Sequence, residues 1–166
     1  AQTNKVSTTK KPYNASAPQA PWTKSAVANS AVDSVYRQEW LKAESKATCP
    51  IIALPKSSSA QLYASKVRRA NFASGWGVAY DLPDLRSAYG VANAGTFPAG
   101  GGGFNWPYNI TYKDGSTAGY GHKGGKPGAD WLAYIVLPES RCFYNVWSAQ
   151  GKEHLEQMIA DLRLVK

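Results

Sequence analysis

Two apolar runs, WLAYIVL at 131–137 and CFYNVW at 142–147, flank the turn PESR at 138–141 and form the strongest pattern in the chain. In the first run both alternation sets are apolar: Trp131, Ala133, Ile135 and Leu137 on one side, Leu132, Tyr134 and Val136 on the other. A strand with no polar face predicts cover on both sides. The second run has the aromatic and β-branched residues that suit a pleated surface. Closing the turn over 138–141 sets Leu137 opposite Cys142, Val136 opposite Phe143 and Ile135 opposite Tyr144. Tyr134 then meets Asn145, where two polar tips can satisfy each other.

Helical spacing appears twice. Over 30–45, Val32, Val35, Tyr36, Trp40 and Ala43 recur at three and four, with Asn29 or Ser30 as the cap. Over 151–165, Leu155, Met158, Ile159, Leu162 and Val165 make one stripe, Ser148 or Gln150 begins the helix, and Glu153 and Glu156 lie in its first turns. Short strands are predicted at 49–55, bracketed by prolines, and at 66–72, 75–80 and 86–91. Glycines beside Trp76 mark a bulge or a close approach by another group. Strands at 108–113 and 116–120 flank Asp114-Gly115, a pair that favours a type I′ turn. Glycine-rich loops are expected at 100–103, as a mobile surface tract, and at 121–128.

These elements predict one α+β domain over 29–166. Its mainly antiparallel sheet of about five or six strands is packed by the N-terminal and C-terminal helices. Residues 1–28, rich in Ser, Thr, Lys, Pro and Ala without an apolar period, read as an extended basic arm anchored by Tyr13 and Trp22. A chain of 166 residues suits a single core. No run approaches the roughly 18 apolar residues of a membrane span.

Charge divides the chain. Of 19 Lys and Arg against 11 Asp and Glu, residues 1–72 hold 11 against 3 and residues 73–166 hold 8 against 8. The net charge of +8 therefore belongs to the N-terminal part, whereas 14 of the 20 aromatics belong to the rest. Such asymmetry suggests a basic surface for an anionic partner on a neutral, aromatic-rich body, or a polar arm that keeps the chain dispersed. The two cysteines, Cys49 and Cys142, lie 93 positions apart and predict a disulfide in a secreted or periplasmic protein. The opening Ala-Gln-Thr matches what signal-peptide cleavage leaves, and a trimmed chain would begin the same way.

Catalytic chemistry is sparse. His122 and His154 are the only histidines, and there is no His-Glu-x-x-His, close cysteine pair, phosphate-loop pattern or GxSxG elbow. No metal and no cofactor is expected. A nuclease-like hydrolase would use His122 and His154 as acid and base with Lys66, Arg68 and Arg69 on a phosphodiester. Phe104, Trp106, Tyr108, Tyr112 and Tyr120 gather around the glycine tract and the Asp-Gly hairpin. Exposed rings of this kind stack on sugars or bases. The leading expectation is thus an exported, non-catalytic binding or structural module for an anionic envelope polymer, glycan or nucleic acid. Its contacts would be Trp106, Tyr108, Tyr112, Tyr120, Lys66, Arg68 and Arg69. The hydrolase is the second reading, and an inhibitor or partner-binding protein using the glycine loop the third.

Overall fold

The computed structural model describes residues 16–61, 64–98 and 105–166. In chain order the elements are α1 (Ser34–Lys42), β1 (Ile52–Ala53), β2 (Lys66–Ala70), β3 (Trp76–Leu82), β4 (Leu85–Thr96), β5 (Tyr108–Thr111) and β6 (Thr117–His122). They continue with β7 (Trp131–Val136), β8 (Cys142–Ser148), α2 (Lys152–Asp161) and β9 (Arg163–Leu164). Seven strands make one antiparallel sheet in the order β2-β3-β4-β8-β7-β6-β5, and β1 pairs with β9 in a second, small sheet. The fold is α+β, with one more strand in its main sheet than the upper expectation.

The β7–β8 hairpin has the predicted register: Ile135 faces Tyr144, Val136 faces Phe143 and Tyr134 faces Asn145. Leu137 N–H donates to the Cys142 carbonyl at 3.0 Å. Asn145 Oδ1 does not receive the Tyr134 hydroxyl as expected; it is buried without a hydrogen-bond partner. Nor do helices cover both faces. Along β8 buried residues alternate with partly exposed ones, and in β7 Ala133 and Ile135 are buried while Leu132, Tyr134 and Val136 are partly exposed.

The strand pairings put Val67, Tyr80, Tyr89, Ser148, Trp131 and His122 in one row on one side of the sheet. That side carries both helices. The hydroxyls of Tyr36 (α1) and Tyr80 meet at 2.8 Å, His154 (α2) bonds Ser148 at 2.7 Å, and the Tyr144 hydroxyl donates to the Pro50 carbonyl at 2.6 Å. The Cys49–Cys142 disulfide, with Cα atoms 5.6 Å apart, ties the segment before β1 to the first residue of β8.

Several boundaries differ from the sequence reading for local reasons. Asn29–Ala31 forms a separate 3-10 turn and Val32 is extended, so α1 starts late and is capped by Asp33, whose carboxylate accepts from Val35 N–H at 3.0 Å. The α2 stripe is buried at Leu155, Met158, Ile159 and Leu162, but the chain leaves the helix at Leu162. This lets Arg163–Leu164 pair with Ile52–Ala53 and Val165 bridge Val27. Gly115 alone of the Asp-Gly pair has positive φ, at 94°, which excludes a type I′ turn; Asp114 instead accepts from Ser116 N–H at 2.9 Å. β4 runs far past residue 91 because buried Asn93 bonds across an irregularity in its pairing, receiving Ser45 Oγ at 2.6 Å and donating to the Phe143 carbonyl at 3.0 Å.

Packed structure begins ahead of residue 29. Ala20, Pro21 and Trp22 are buried, and Trp22 meets Tyr112 edge-on at 5.0 Å. Residues 1–15 of the expected arm, Tyr13 among them, the 100–103 glycine tract and Phe104 lie outside the described residues.

Candidate functional site

On the other side of the sheet the strand pairings line up Ala79, Gly90, Trp147, Leu132 and Gly121, and beside them Gly77, Ala92, Asn145, Tyr134, Gly119 and Asn109. Small residues thus fill alternate positions of β3, β4 and β6, and aromatic rings lie upon them. A Cβ at Gly90 would overlap the Trp147 ring, and one at Gly119 would overlap Trp106. Glycine is what lets an indole lie against the backbone here. Phe72, from the β2–β3 connection, stacks on Trp147 at 5.9 Å.

From Trp106 an edge-to-face series crosses this surface: Trp106 to Tyr134 at 5.0 Å, Tyr134 to Phe143 at 4.7 Å and Phe143 to Phe97 at 5.1 Å. The Arg141 guanidinium ends it, 5.4 Å from the Phe97 centroid. Trp106, Tyr134, Phe143, Phe97 and Trp147 are all partly exposed. Among the described residues no helix lies over them. Beside Trp106 a groove of about 410 Å³ is lined by Pro107, His122, Leu132 and Tyr134, with Gly124 and Gly125 in its wall. Exposed Lys123 and Lys126 adjoin those glycines in the chain.

The aromatic candidates divide between the two faces. Trp106 lines the groove, but Tyr108 and Tyr120 are on the helix side, stacked on each other at 5.2 Å, with Lys152 Nζ 4.5 Å from the centroid of Tyr108. Tyr120 is buried and its hydroxyl donates to Glu156. Burial first, and that carboxylate second, push the phenol well above its usual range. Tyr112 is buried under Trp22. Tyr112 and Tyr120 are therefore core residues with no surface to offer a ligand.

Lys66, Arg68 and Arg69 lie on β2, at the far edge. Five strand spacings, roughly 24 Å, separate β2 from β6. Arg68 is already paired with Asp81, Nε to Oδ2 at 3.0 Å, while Lys66 and Arg69 are exposed. Hydrogen bonds from Arg68 and from Ser87 N–H hold the Asp81 carboxyl below the usual range.

The histidines also stay apart. His122 is hydrogen-bonded through Nδ1 to the Ala129 carbonyl at 2.8 Å and packs on Trp131 at 4.4 Å. His154 contacts Ser148 Oγ through Nδ1 at 2.7 Å and the Ala60 carbonyl through Nε2 at 2.8 Å. The carbonyl can only accept, so Nε2 carries the proton and Nδ1 accepts from the serine. This Ser-His pair was not visible in the sequence, and Ser148 at 0% exposure keeps any substrate out of reach. His122 borders the aromatic groove and His154 a different cleft; neither cleft is lined by Lys66, Arg68 or Arg69. The hydrolase set is not assembled in one place.

Leu132, Tyr134, Phe143, Trp147 and Phe72 read from the sequence as strand residues and not as site candidates. The signal for them was the alternation of Gly77 with Ala79, Gly90 with Ala92, and Gly119 with Gly121, a small-residue face that rings can lie on. Among the described residues no group of three or more His, Cys, Asp and Glu is placed to hold a metal ion, and no helix is long and apolar enough to cross a membrane. No protein-family model, curated protein or solved structure matches the chain.

Proposed function

We propose that the chain is an exported, non-catalytic binding module that sets the helix-free face of its sheet against the sugar rings of an envelope polymer. The observation that carries this reading is the groove beside Trp106 and Tyr134. Partly exposed rings are held there against glycines in a fixed orientation, at little entropic cost to a ligand that stacks on them. Sugar rings offer the C–H faces that such a surface accepts. Exposed Lys123 and Lys126 beside the groove, and exposed Lys66 on the same side of the sheet at its far edge, favour a polymer carrying acidic groups. The disulfide supports export, since such a bond persists where the surroundings are oxidising.

Binding to a panel of acidic and neutral polysaccharides, followed by titration calorimetry, tests the reading. Trp106→Ala and Tyr134→Ala are each expected to weaken binding about fivefold to a hundredfold, the worth of a stacked ring. Lys123→Ala with Lys126→Ala should mainly flatten the salt dependence. Unchanged affinity in both ring variants would remove the proposal. The hydrolase alternative predicts lost turnover of a generic nucleic-acid or ester substrate on changing His122 and His154 to Ala. The separation of the two clefts predicts no difference between the double variant and the parent.

A further inference from the structure

On the helix side, where the β3–β4 hairpin meets the start of α2, lies a cleft of about 430 Å³. Leu82, Asp84 and Leu85 of that hairpin, Gln150 ahead of α2, and the rings of Tyr89 and His154 help to line it. Tyr89 is 1% exposed, and its hydroxyl is buried without a hydrogen-bond partner. Neighbouring phenols differ: Tyr36 and Tyr80 bond each other, and Tyr144 donates to a carbonyl. Phenylalanine would keep Tyr89's stacking on Tyr80 at 4.8 Å and its edge contact with His154 at 4.8 Å, without stranding a donor. The hydroxyl is therefore the one part of this side chain that packing leaves unexplained.

The chemistry of the walls narrows what could use it. Burial pushes the Tyr89 phenol up to about 12, so it is protonated at neutral pH and available as a donor. Both nitrogens of His154 are engaged, which leaves its ring as a flat wall. Among the described residues Asp84 is the only acidic or basic side chain in the lining apart from that histidine, and it disfavours an anion.

We propose that this cleft binds a small uncharged ring compound whose carbonyl or ether oxygen accepts from the Tyr89 hydroxyl. The ring lies between Leu82, Leu85 and the imidazole of His154. Leu85, 41% exposed at the rim, is the side chain that yields as the ligand enters. The site is separate from the aromatic groove and does not depend on its reading.

Benzamide tests the idea, with benzoate as the anionic control, by following backbone amide shifts in the 15N-labelled chain. Benzamide is expected to give saturable shifts confined to residues around 59–60, 82–89 and 150–154, half-complete at about 1–10 mM for so small a probe. Benzoate should bind at least about tenfold more weakly. Tyr89→Phe should melt no lower than the parent yet bind benzamide about fivefold more weakly, the effect of one hydrogen bond. Shifts that do not saturate, equal affinity for benzoate, or unchanged affinity in a folded Tyr89→Phe would each overturn the proposal.

Discussion

At the scale of single residues, glycine governs the proposed binding face. Gly119 is held under the Trp106 ring, and an added methyl would overlap the indole. Because β6 is flanked by β5 and β7, its backbone has little room to retreat, so the indole must leave. Gly119→Ala is expected to retain the fold and lose about 1–3 kcal/mol, as overpacking does, in urea denaturation. It should also weaken polymer binding about as much as Trp106→Ala. Full stability together with full binding would show that the indole's seat on Gly119 matters to neither. This feature was half legible in the sequence. Glycines beside Trp76 announced a close approach, and Gly77 does receive one; the approaching group is Phe72, which no local spacing could name.

At the scale of elements, two carboxylates fasten strands to their neighbours. Asp81 joins β3 to β2 through Arg68, and Glu156 joins α2 to β6 through Tyr120, with Lys152 at 3.2 Å. Hydrogen bonds from Arg68 to Asp81 and from Tyr120 to Glu156 are the leading causes that lower each carboxyl below its unfolded value. The unfolded chain therefore binds protons more readily than the native one in this range. The stabilisation is fully present above the unfolded values near 4 and is lost as pH falls through the lower folded values. Thermal melts from pH 7 to pH 2 should show a decline below about pH 4. Asp81→Asn should make that decline shallower while lowering stability at pH 7; an unaltered pH profile would show that Asp81 has no part in it. Most elements were legible because their signals are local. The β7–β8 register followed from turn length and alternation, and the α2 stripe from its spacing. The start of α1 and the length of β4 were not legible, because they depend on extended Val32 and on Asn93 bonding across to Phe143.

At the scale of the molecule, the sheet has one face sealed by helices and one faced with its own rings. The apolar pattern of β7 predicted cover on both sides without distinguishing a helix from a layer of aromatic side chains, since both permit the same sequence. The sealed side is also where the disulfide is fastened, joining two points 93 residues apart across the core. Closing a loop of that length restricts the unfolded chain far more than the native one, and the chain-entropy estimate is about 4–5 kcal/mol. Replacing both Cys49 and Cys142 with Ala should therefore lower the free energy of unfolding in urea by up to that amount, with a steeper denaturant slope because the unlinked unfolded chain exposes more surface. Cys142 begins β8, whose Phe143 is part of the aromatic series, but Trp106 and Tyr134 are placed by β6 and β7. The double variant, still folded at 25 °C, is then expected to bind the polymer within about twofold of the parent, because the loss is carried by the unfolded state. A large loss of affinity in a folded variant would mean that the two faces are mechanically coupled through β8, so that the disulfide also positions the rings.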